Sequence, residues 1–196
     1  MISAILLAAG RSTRLGRPKQ LLSLGHTNII NACILNIRSA GINSITVVTG
    51  YEAEKIEAVL EDVSIARNSD YLQGMISSIK AGIAAQPASV EAALLALCDQ
   101  PHVSATLISQ LLDRYKLTKC SVVKPRYLGQ SGHPIVLNRS VFPNILSLGT
   151  GERLDLLLKR YDVQYVDTDE VAVVEDIDTE EDYLSLLKRL KQQLPG

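Results

Sequence analysis

The stretch that decides the fold is LAAGRSTRLGRPKQLL, residues Leu7–Leu22, where an apolar run passes directly into a loop rich in arginine and glycine. The run from Ile2 to Ala8 is apolar apart from Ser3, which predicts a buried strand. In parallel α/β sheets, ligands bind beyond the carboxyl ends of the strands. Residues 8–19, called the basic loop below, therefore indicate a binding site for an anionic ligand.

The positive charge of the basic loop is a local feature of a chain whose net charge is only −1. No acidic residue precedes Glu52, whereas five basic residues do: Arg11, Arg14, Arg17, Lys19 and Arg38. The net charge therefore gives no reason to expect a nucleic acid or a membrane as partner. Tryptophan is absent and Phe142 is the only phenylalanine, which argues against a surface that stacks single-stranded bases.

Length and cysteine usage bound the class of protein. The 196 residues suit one domain, so we expect residues 1–196 to form a single unit. The three cysteines are scattered, odd in number and without a CxxC pair, which fits a reducing cytoplasm better than a disulfide framework. No apolar stretch is long enough to span a bilayer. We therefore expect a cytoplasmic protein.

Short apolar runs alternate with amphipathic segments along the chain. This alternation predicts an α/β fold with a mostly parallel sheet. The predicted strands are Ile2–Ala8, Ser44–Thr49, Val63–Ala66, Ala92–Cys98, Ser121–Lys124, Pro134–Leu137, Val163–Val166 and Val171–Val174. The predicted helices are Ile29–Ser39 with Thr27 or Asn28 as its cap, Glu52–Glu61, one starting near Met75–Ser78, one capped by Ser104 and running to about Leu117, Leu154–Arg160, and one capped by Thr179, with Asp182 in the place that glutamate or glutamine takes in a capping box.

The basic loop has residue types that suit phosphate binding. Gly10 and Gly16 permit close approach of backbone N–H groups. Arg14 offers a planar fork to phosphate oxygens and Lys19 offers a point charge. The loop nevertheless contains neither the Walker A pattern nor GxGxxG. From composition alone, a solvated basic loop remains an equal alternative.

Two acidic segments are candidates for a cation site. Asp99 follows a predicted buried strand in ALLALCDQP, where a carboxylate suits a hard cation such as Mg²⁺. A turn or helix-capping role is the alternative for this aspartate. If EDIDTEEDY is extended, Asp176 and Asp178 share one face, and spacing does not choose between them. The acids at 180–182 are instead typical of a helix start.

These segments together resemble the MobA-like NTP transferases, the molybdenum-cofactor nucleotidyltransferases. The stretch Leu7–Leu22 is similar to the family signature LAAGxSxRMGxxKxLL, with Leu15 in place of methionine. The cytidylyltransferase branch is the most similar. Its further segments have counterparts in QGMISS at Gln73–Ser78, CDQP at Cys98–Pro101, GHP at Gly132–Pro134 and DIDTEEDY at Asp176–Tyr183.

The resemblance implies a Rossmann-like three-layer α/β/α nucleotidyltransferase fold with a mostly parallel mixed sheet. It implies that Arg14 and Lys19 are catalytic and hold the triphosphate, and that Asp99 and Asp178 bind Mg²⁺. Gly132, His133 and Pro134 would lie towards the acceptor, although His133 is equally explained as a turn residue. The implied nucleotide-binding residues are Leu7, Ala8, Ala9, Gly10, Arg14, Lys19, Gln73, Gly74, Ser77 and Ser78.

The resemblance also implies a reaction. We expect Mg²⁺-dependent transfer of CMP from CTP to molybdopterin with release of pyrophosphate. Ala9 favours CTP, because guanylyltransferase relatives commonly have LAGG where this chain has LAAG. Cys98 replaces the usual glycine of the branch, and residues 149–153 depart from its GDxGAR pattern. The alternatives are GTP or another NTP, a sugar or polyol phosphate as acceptor, or a non-catalytic cofactor carrier for a molybdenum hydroxylase apoenzyme.

Overall fold

The computed structural model describes residues 1–193. Its strands are β1 (Ile2–Leu7), β2 (Ser23–Leu24), β3 (Thr27–Asn28), β4 (Ile45–Thr49), β5 (Ser64–Arg67), β6 (Ala92–Leu97), β7 (Val122–Tyr127), β8 (Gln130–Ser131), β9 (Ile135–Asn138) and β10 (Val163–Asp167). The α-helices are α1 (Ile29–Ser39), α2 (Ala53–Glu57), α3 (Met75–Ala84), α4 (Ala105–Thr118), α5 (Phe142–Leu146), α6 (Leu154–Leu158) and α7 (Glu180–Gln193). Single 3₁₀ turns cover Lys19–Leu21, Tyr71–Gln73, Arg139–Val141 and Val171–Val173.

One mixed, mostly parallel sheet organises the molecule, in the order β10-β7-β9-β6-β1-β4-β5, with β8 paired to β7. Strand β1 lies in parallel between β4 and β6. Strand β9 runs antiparallel to both β6 and β7. The carboxyl ends of β1 and β6 are therefore adjacent, which brings the basic loop and Asp99 to the same sheet edge.

Helices cover both faces of the sheet. Residues of β1 alternate between the two faces: Ala4 and Leu6 join a core with α1, α4 and α7, and Ile5 and Leu7 join a core with α3, α5 and α6. Both faces of β1 are thus covered, and the strand is buried from Ser3 to Leu7. The expected three-layer α/β/α arrangement is confirmed.

Helix ends follow the capping signals in the sequence. Asn28 caps α1, whose range of Ile29–Ser39 is the predicted one, and Ser104 caps α4. Thr179 and Asp182 exchange hydrogen bonds at the start of α7, Asp182 N donating to Thr179 Oγ1 at 3.2 Å and Thr179 N to the Asp182 carboxylate at 2.8 Å. The capping box with aspartate in the last position therefore forms.

Some predicted elements are wrong in type or length. Val171–Val173 is a 3₁₀ turn rather than a strand, because Ala172 and Val173 are buried in the core and the Val173 carbonyl bonds to another loop. The predicted helix Glu52–Glu61 is only α2, since the chain tightens into i→i−3 bonds at Val59 and Leu60 before β5. The helix predicted for Leu154–Arg160 is α6, which ends at Leu158. No helix within residues 1–193 is long and apolar enough to cross a membrane.

Candidate active site

A cavity of about 310 Å³ opens where the basic loop leaves β1. Four segments line it: the basic loop with its flanking residues, the end of β6 and the residues after it, the turn that leads into α3, and the acidic segment before α7. We call this the main cavity. Its lining residues are Leu7, Ala9, Gly10, Ser12, Thr13, Arg14, Lys19, Gln20, Tyr71, Gly74, Met75, Ser78, Leu97, Cys98, Asp99 and Asp178.

Local hydrogen bonds fold the basic loop back on itself. Ser12 has a positive φ of 51°, and its carbonyl accepts from Gly16 N at 3.1 Å. Gly16 also has a positive φ, of 67°, a conformation in which glycine carries no steric penalty. The Ser12 hydroxyl accepts from Lys19 N at 3.1 Å, where the Lys19–Leu21 turn starts. The loop thus returns Lys19 to the cavity.

Gln20 is a site residue that sequence reasoning missed. Its side chain is 1% exposed, and Nε2 donates to Ala8 O at 2.8 Å and to Gly10 O at 3.1 Å. The amide thereby fixes the backbone at the start of the basic loop. A neutral amide beside four charged residues gives no sequence signal for this role.

Lys19 is the buried centre of an ion cluster with Asp99 and Asp178, whose side chains are half-buried. Its Nζ donates to Asp99 Oδ2 at 2.8 Å, to Asp178 Oδ1 at 2.8 Å and to Ile177 O at 2.9 Å. These contacts use all three donors of the ammonium group. Burial lowers the pKa of Lys19, but the Asp99 charge and the hydrogen bonds to both carboxylates outweigh burial, so this pKa lies above its ordinary value.

Arg14 forms the outer part of the same cluster. Its guanidinium donates to Asp178 Oδ2 at 2.5 Å, and its side chain is 65% exposed. Burial raises the pKa of Asp178, but hydrogen bonds and charge from Lys19, together with Arg14, lower it overall. A second loop arginine, Arg17, pairs with Glu180 at the start of α7. The basic loop is therefore tied to the acidic segment near the carboxyl end of the chain.

The structure separates the two aspartates that spacing left equivalent. Asp178 faces Lys19 and Arg14. Asp176 instead accepts from Gln100 Nε2 at 2.9 Å, and burial followed by the Asp99 charge raises its pKa. Ile177 N, between them, donates to Asp99 O at 3.0 Å, which anchors the segment beside β6. Asp178 is thus the aspartate that shares an ion cluster with Asp99.

The chemistry of Asp99 and Asp178 fits a divalent cation. Asp99 Oδ1 is buried and has no hydrogen-bond partner among the described residues. Mg²⁺ in phosphate-transfer sites takes one or two protein carboxylates, with phosphates and water as its other ligands. Residues 1–193 contain no group of three or more His, Cys, Asp or Glu that would hold a metal without such additional ligands. The pair therefore suits a cation that arrives with a polyphosphate.

The segment Gln73–Ser78 is divided between two hollows. Gly74 and Ser78 line the main cavity. Gln73 and Ser77 line a second hollow of about 390 Å³, between α3 and the Leu146–Thr150 segment. The helix start separates the two hollows, because successive residues of a helical turn point in different directions.

The segment Gly132–Pro134 lies at the same sheet edge but does not line the main cavity. A Cβ on Gly132 would stand 1.8 Å from Val173 O, so only glycine fits there. His133 N donates to Val173 O at 3.0 Å, and burial, followed by the charge of Lys124, lowers the His133 pKa to about 4. Pro134 borders a separate apolar cavity of about 20 Å³. With its lowered pKa, the His133 imidazole is neutral at pH 7.

Comparisons with known proteins agree with this geometry. Residues 4–184 match the MobA-like NTP transferase domain. The chain is 32% identical over 198 residues to the nicotine blue oxidoreductase of Paenarthrobacter nicotinovorans, covering 95% of this chain and 96% of that protein. It is 26% identical over 191 residues to the molybdenum cofactor cytidylyltransferase of Escherichia coli (strain K12), covering 96% of each.

Solved structures give the same picture. A nucleotidyl transferase from Methanothermobacter superposes with a TM-score of 0.85 at 26% identity, covering 99% of both chains. A protein of Mycobacterium tuberculosis H37Rv, solved in complex with manganese, superposes with a TM-score of 0.79 at 27% identity, covering 95% of this chain and 98% of that one. The family depends on a divalent metal. The chain belongs to the MobA-like NTP transferase family and is a nucleotidyltransferase.

Proposed function

We propose that this nucleotidyltransferase transfers CMP from CTP to molybdopterin, with Mg²⁺ as the metal and pyrophosphate as the second product. The observation that carries the proposal is the ion cluster of buried Lys19 with Asp99 and Asp178 at the main cavity, beside the signature loop. Its two carboxylates suit a metal, and Lys19 together with Arg14, which pairs with Asp178, suits a triphosphate. The similarity to a molybdenum cofactor cytidylyltransferase supports the choice of acceptor.

The reaction needs positioning and charge more than covalent chemistry. A phosphate oxygen of the acceptor attacks the α-phosphorus in line, the new O–P bond forms, and the bond to the bridging oxygen of pyrophosphate breaks. Negative charge therefore grows on the leaving pyrophosphate. Arg14 and Lys19 are the groups of this chain that would neutralise it.

Lys19 has to change partners to take part. In the structure its three donors are used by Asp99, Asp178 and the Ile177 carbonyl. It therefore donates to a phosphate oxygen only after it releases one of these three acceptors. When bound, Mg²⁺ would supply positive charge between Asp99, Asp178 and the phosphates. Arg14, exposed on the loop, needs only to exchange Asp178 for a phosphate oxygen.

Ala9 supports CTP as the nucleotide. It lines the main cavity, and its methyl group packs beside Gly50, where a glycine would leave open space. A pyrimidine needs less room than a purine. Gly10 and the buried amide of Gln20 hold the backbone next to it in one conformation, which favours a fixed cavity width.

The acceptor is assigned to the side of Gly132, His133 and Pro134. These residues precede β9, whose first residue Ile135 pairs with Leu95 near the carboxyl end of β6. Asp99 follows two residues after that end. His133 is neutral near pH 7 and so would offer a hydrogen bond rather than a charge. The rival acceptors are other phosphorylated molecules, such as a sugar or polyol phosphate. A cofactor carrier is the non-catalytic rival, and it would have no need for the ion cluster.

The decisive experiment measures pyrophosphate release with Mg²⁺, molybdopterin and each of CTP, GTP and ATP. We expect pyrophosphate release with CTP and its loss in Lys19→Ala. The control is Lys116→Ala, which removes an exposed lysine that pairs with Asp113 on α4 and should keep the release. Release with GTP alone would contradict the choice of CTP as the nucleotide. Release only when a sugar phosphate replaces molybdopterin would contradict the choice of acceptor. Oxidation or reduction of nicotine blue without pyrophosphate release would favour the activity for which the Paenarthrobacter relative is named.

A further inference from the structure

We propose that Asn68 is a positioning residue for nucleotide binding, an inference that rests on the proposed function. Asn68 does not line the main cavity. Its buried side chain instead holds residues 70–78, which we call the facing wall: the part of the chain that leads into α3 and contributes four residues to the lining of the main cavity. Tyr71, Gly74, Met75 and Ser78 are the wall residues that line the cavity.

The backbone of Asn68 is anchored to the sheet. The residue follows directly after β5, is 7% exposed, and its N–H donates to Thr49 O at 2.8 Å at the end of the neighbouring strand β4. Its position is thus set by the parallel pairing of β4 and β5. The groups that bond to the Asn68 side chain are therefore held in a fixed position relative to the sheet.

The Asn68 amide joins both ends of the facing wall. Its Oδ1 accepts from Asp70 N at 3.0 Å, just before the Tyr71–Gln73 turn. Its Nδ2 donates to Ser77 Oγ at 2.8 Å and to Ser78 Oγ at 3.0 Å, in the first turn of α3. Both amide donors and the amide oxygen are therefore satisfied within the wall.

The wall needs such a brace because its backbone bends sharply between the two ends. Gly74 has φ 96° and ψ −177° and separates the Tyr71–Gln73 turn from α3. No Cβ placed on Gly74 would meet an atom within 4 Å, so the backbone conformation and not crowding explains the glycine. A flexible residue at the bend would let the wall move unless its two ends were joined.

Asn138 provides a matched control. It ends β9, its Oδ1 accepts from the backbone N–H two residues on at Ser140, and its Nδ2 donates to Tyr115 Oη at 2.9 Å. The bonding pattern therefore resembles that of Asn68. However, Asn138 pairs with Ala92, at the amino end of β6 and thus at the opposite edge of the sheet from the main cavity.

The test compares Asn68→Ala with Asn138→Ala. We expect Asn68→Ala to raise the KM for CTP roughly tenfold or more, with a smaller change in kcat, because a looser wall weakens nucleotide binding before it affects the reacting groups. Amide hydrogen exchange of residues 70–78 should also quicken in the free protein. Asn138→Ala should leave both unchanged. Unchanged KM and exchange in Asn68→Ala, or equal changes in both variants, would overturn the inference.

Two further arms keep the test decisive. If Asn68→Ala does not fold, Asn68→Ser takes its place, because its hydroxyl can still accept from Asp70 N as in an ST turn but is too short to reach Ser77 and Ser78. A raised KM for CTP in that variant supports the inference, and an unchanged KM overturns it. If the wild-type chain transfers no nucleotide, the proposed function fails, and the hydrogen-exchange comparison alone decides whether Asn68 braces the wall.

Discussion

Two lysines of this protein each hold an aspartate at nearly the same distance, yet in opposite surroundings. Lys19 Nζ lies 2.8 Å from Asp99, with only 10% of its side chain exposed. Lys116 Nζ lies 3.0 Å from Asp113 on the outside of α4, where 72% of the aspartate side chain is exposed. Water screens the second pair, so it stabilises the fold little. Burying the first set of charges is costly, which is why we interpret it as serving the reaction rather than the fold.

The largest expected effect separates Asp178 from Asp176. Asp178→Asn removes the charge that faces Lys19 and Arg14, and we expect pyrophosphate release to fall roughly 10²–10³-fold, the usual loss for one preorganised electrostatic contact. Asp176→Asn keeps an oxygen for the Gln100 amide and should cost less than about tenfold. Steady-state kinetics of both variants check this. Equal losses in the two would contradict the assignment of Asp178 as the metal ligand.

A second prediction concerns competition for the carboxylates. Lys19→Met removes the ammonium that neutralises Asp99 and Asp178 and should tighten Mn²⁺ binding in the absence of nucleotide by about tenfold, or ~1.4 kcal/mol. Calorimetric or electron paramagnetic resonance titration of Mn²⁺ measures this directly. Lys116→Met should bind Mn²⁺ as the wild type does. Weaker Mn²⁺ binding in Lys19→Met would show that the lysine supports the site instead of competing for it.

The pH dependence of stability should also distinguish the two environments. The pKa of Lys19 is higher in the folded chain than its ordinary value of 10.5. The protonated ammonium therefore contributes fully to the free energy of unfolding below pH 10.5, and this contribution is lost as the pH rises through the pKa of the folded chain. The pKa of Asp178 is lower in the folded chain than its ordinary value of 3.8. The ionised carboxylate therefore contributes fully to the free energy of unfolding above pH 3.8, and this contribution is lost as the pH falls through the pKa of the folded chain. We therefore expect the Tm difference between wild type and Asp178→Asn to be larger at pH 7 than at pH 2.

The exposed aspartate gives the control for that measurement. Asp113→Asn should change the Tm only slightly at pH 7, because water already solvates this exposed carboxylate in the folded chain. A Tm difference that shrank with falling pH for Asp113→Asn as much as for Asp178→Asn would remove the distinction between the two sites.

The smallest expected effect is that of Lys116→Met on the fold. An exposed i,i+3 pair contributes about 0.5 kcal/mol or less to the free energy of unfolding. Chemical denaturation of the variant checks this value, and activity should stay at the wild-type level. A large loss of stability would mean that Lys116 contributes through packing of its methylene groups instead.

Prediction from the sequence was accurate where local chemistry decides the outcome. The caps at Asn28 and Ser104 set the starts of α1 and α4, because a side-chain oxygen satisfies a backbone donor within three residues. The failure at Val171–Val174 has the opposite cause. Its β-branched residues favour a strand, but burial of Val173 and bonds from distant residues stabilise a 3₁₀ turn.

The site divides in the same way. The residues of the basic loop and the acidic segment were identifiable from their order and spacing, since a phosphate-binding loop needs glycines and basic side chains close together in the chain. Gln20 and Asn68 were not, because each acts through bonds to backbone or hydroxyl groups that only folding brings near. A buried amide has no local signature.

The sequence by itself determined the α/β class, the capped helices and the presence of a basic loop after the first strand, because these follow from hydrophobic period, caps and local charge. Only the tertiary structure decided that Lys19 lies between Asp99 and Asp178, and that Asp176 turns away to Gln100. Those contacts join positions about 80 and 160 residues apart in the chain. Parallel strand pairing creates them, since it brings the carboxyl ends of distant strands to one edge.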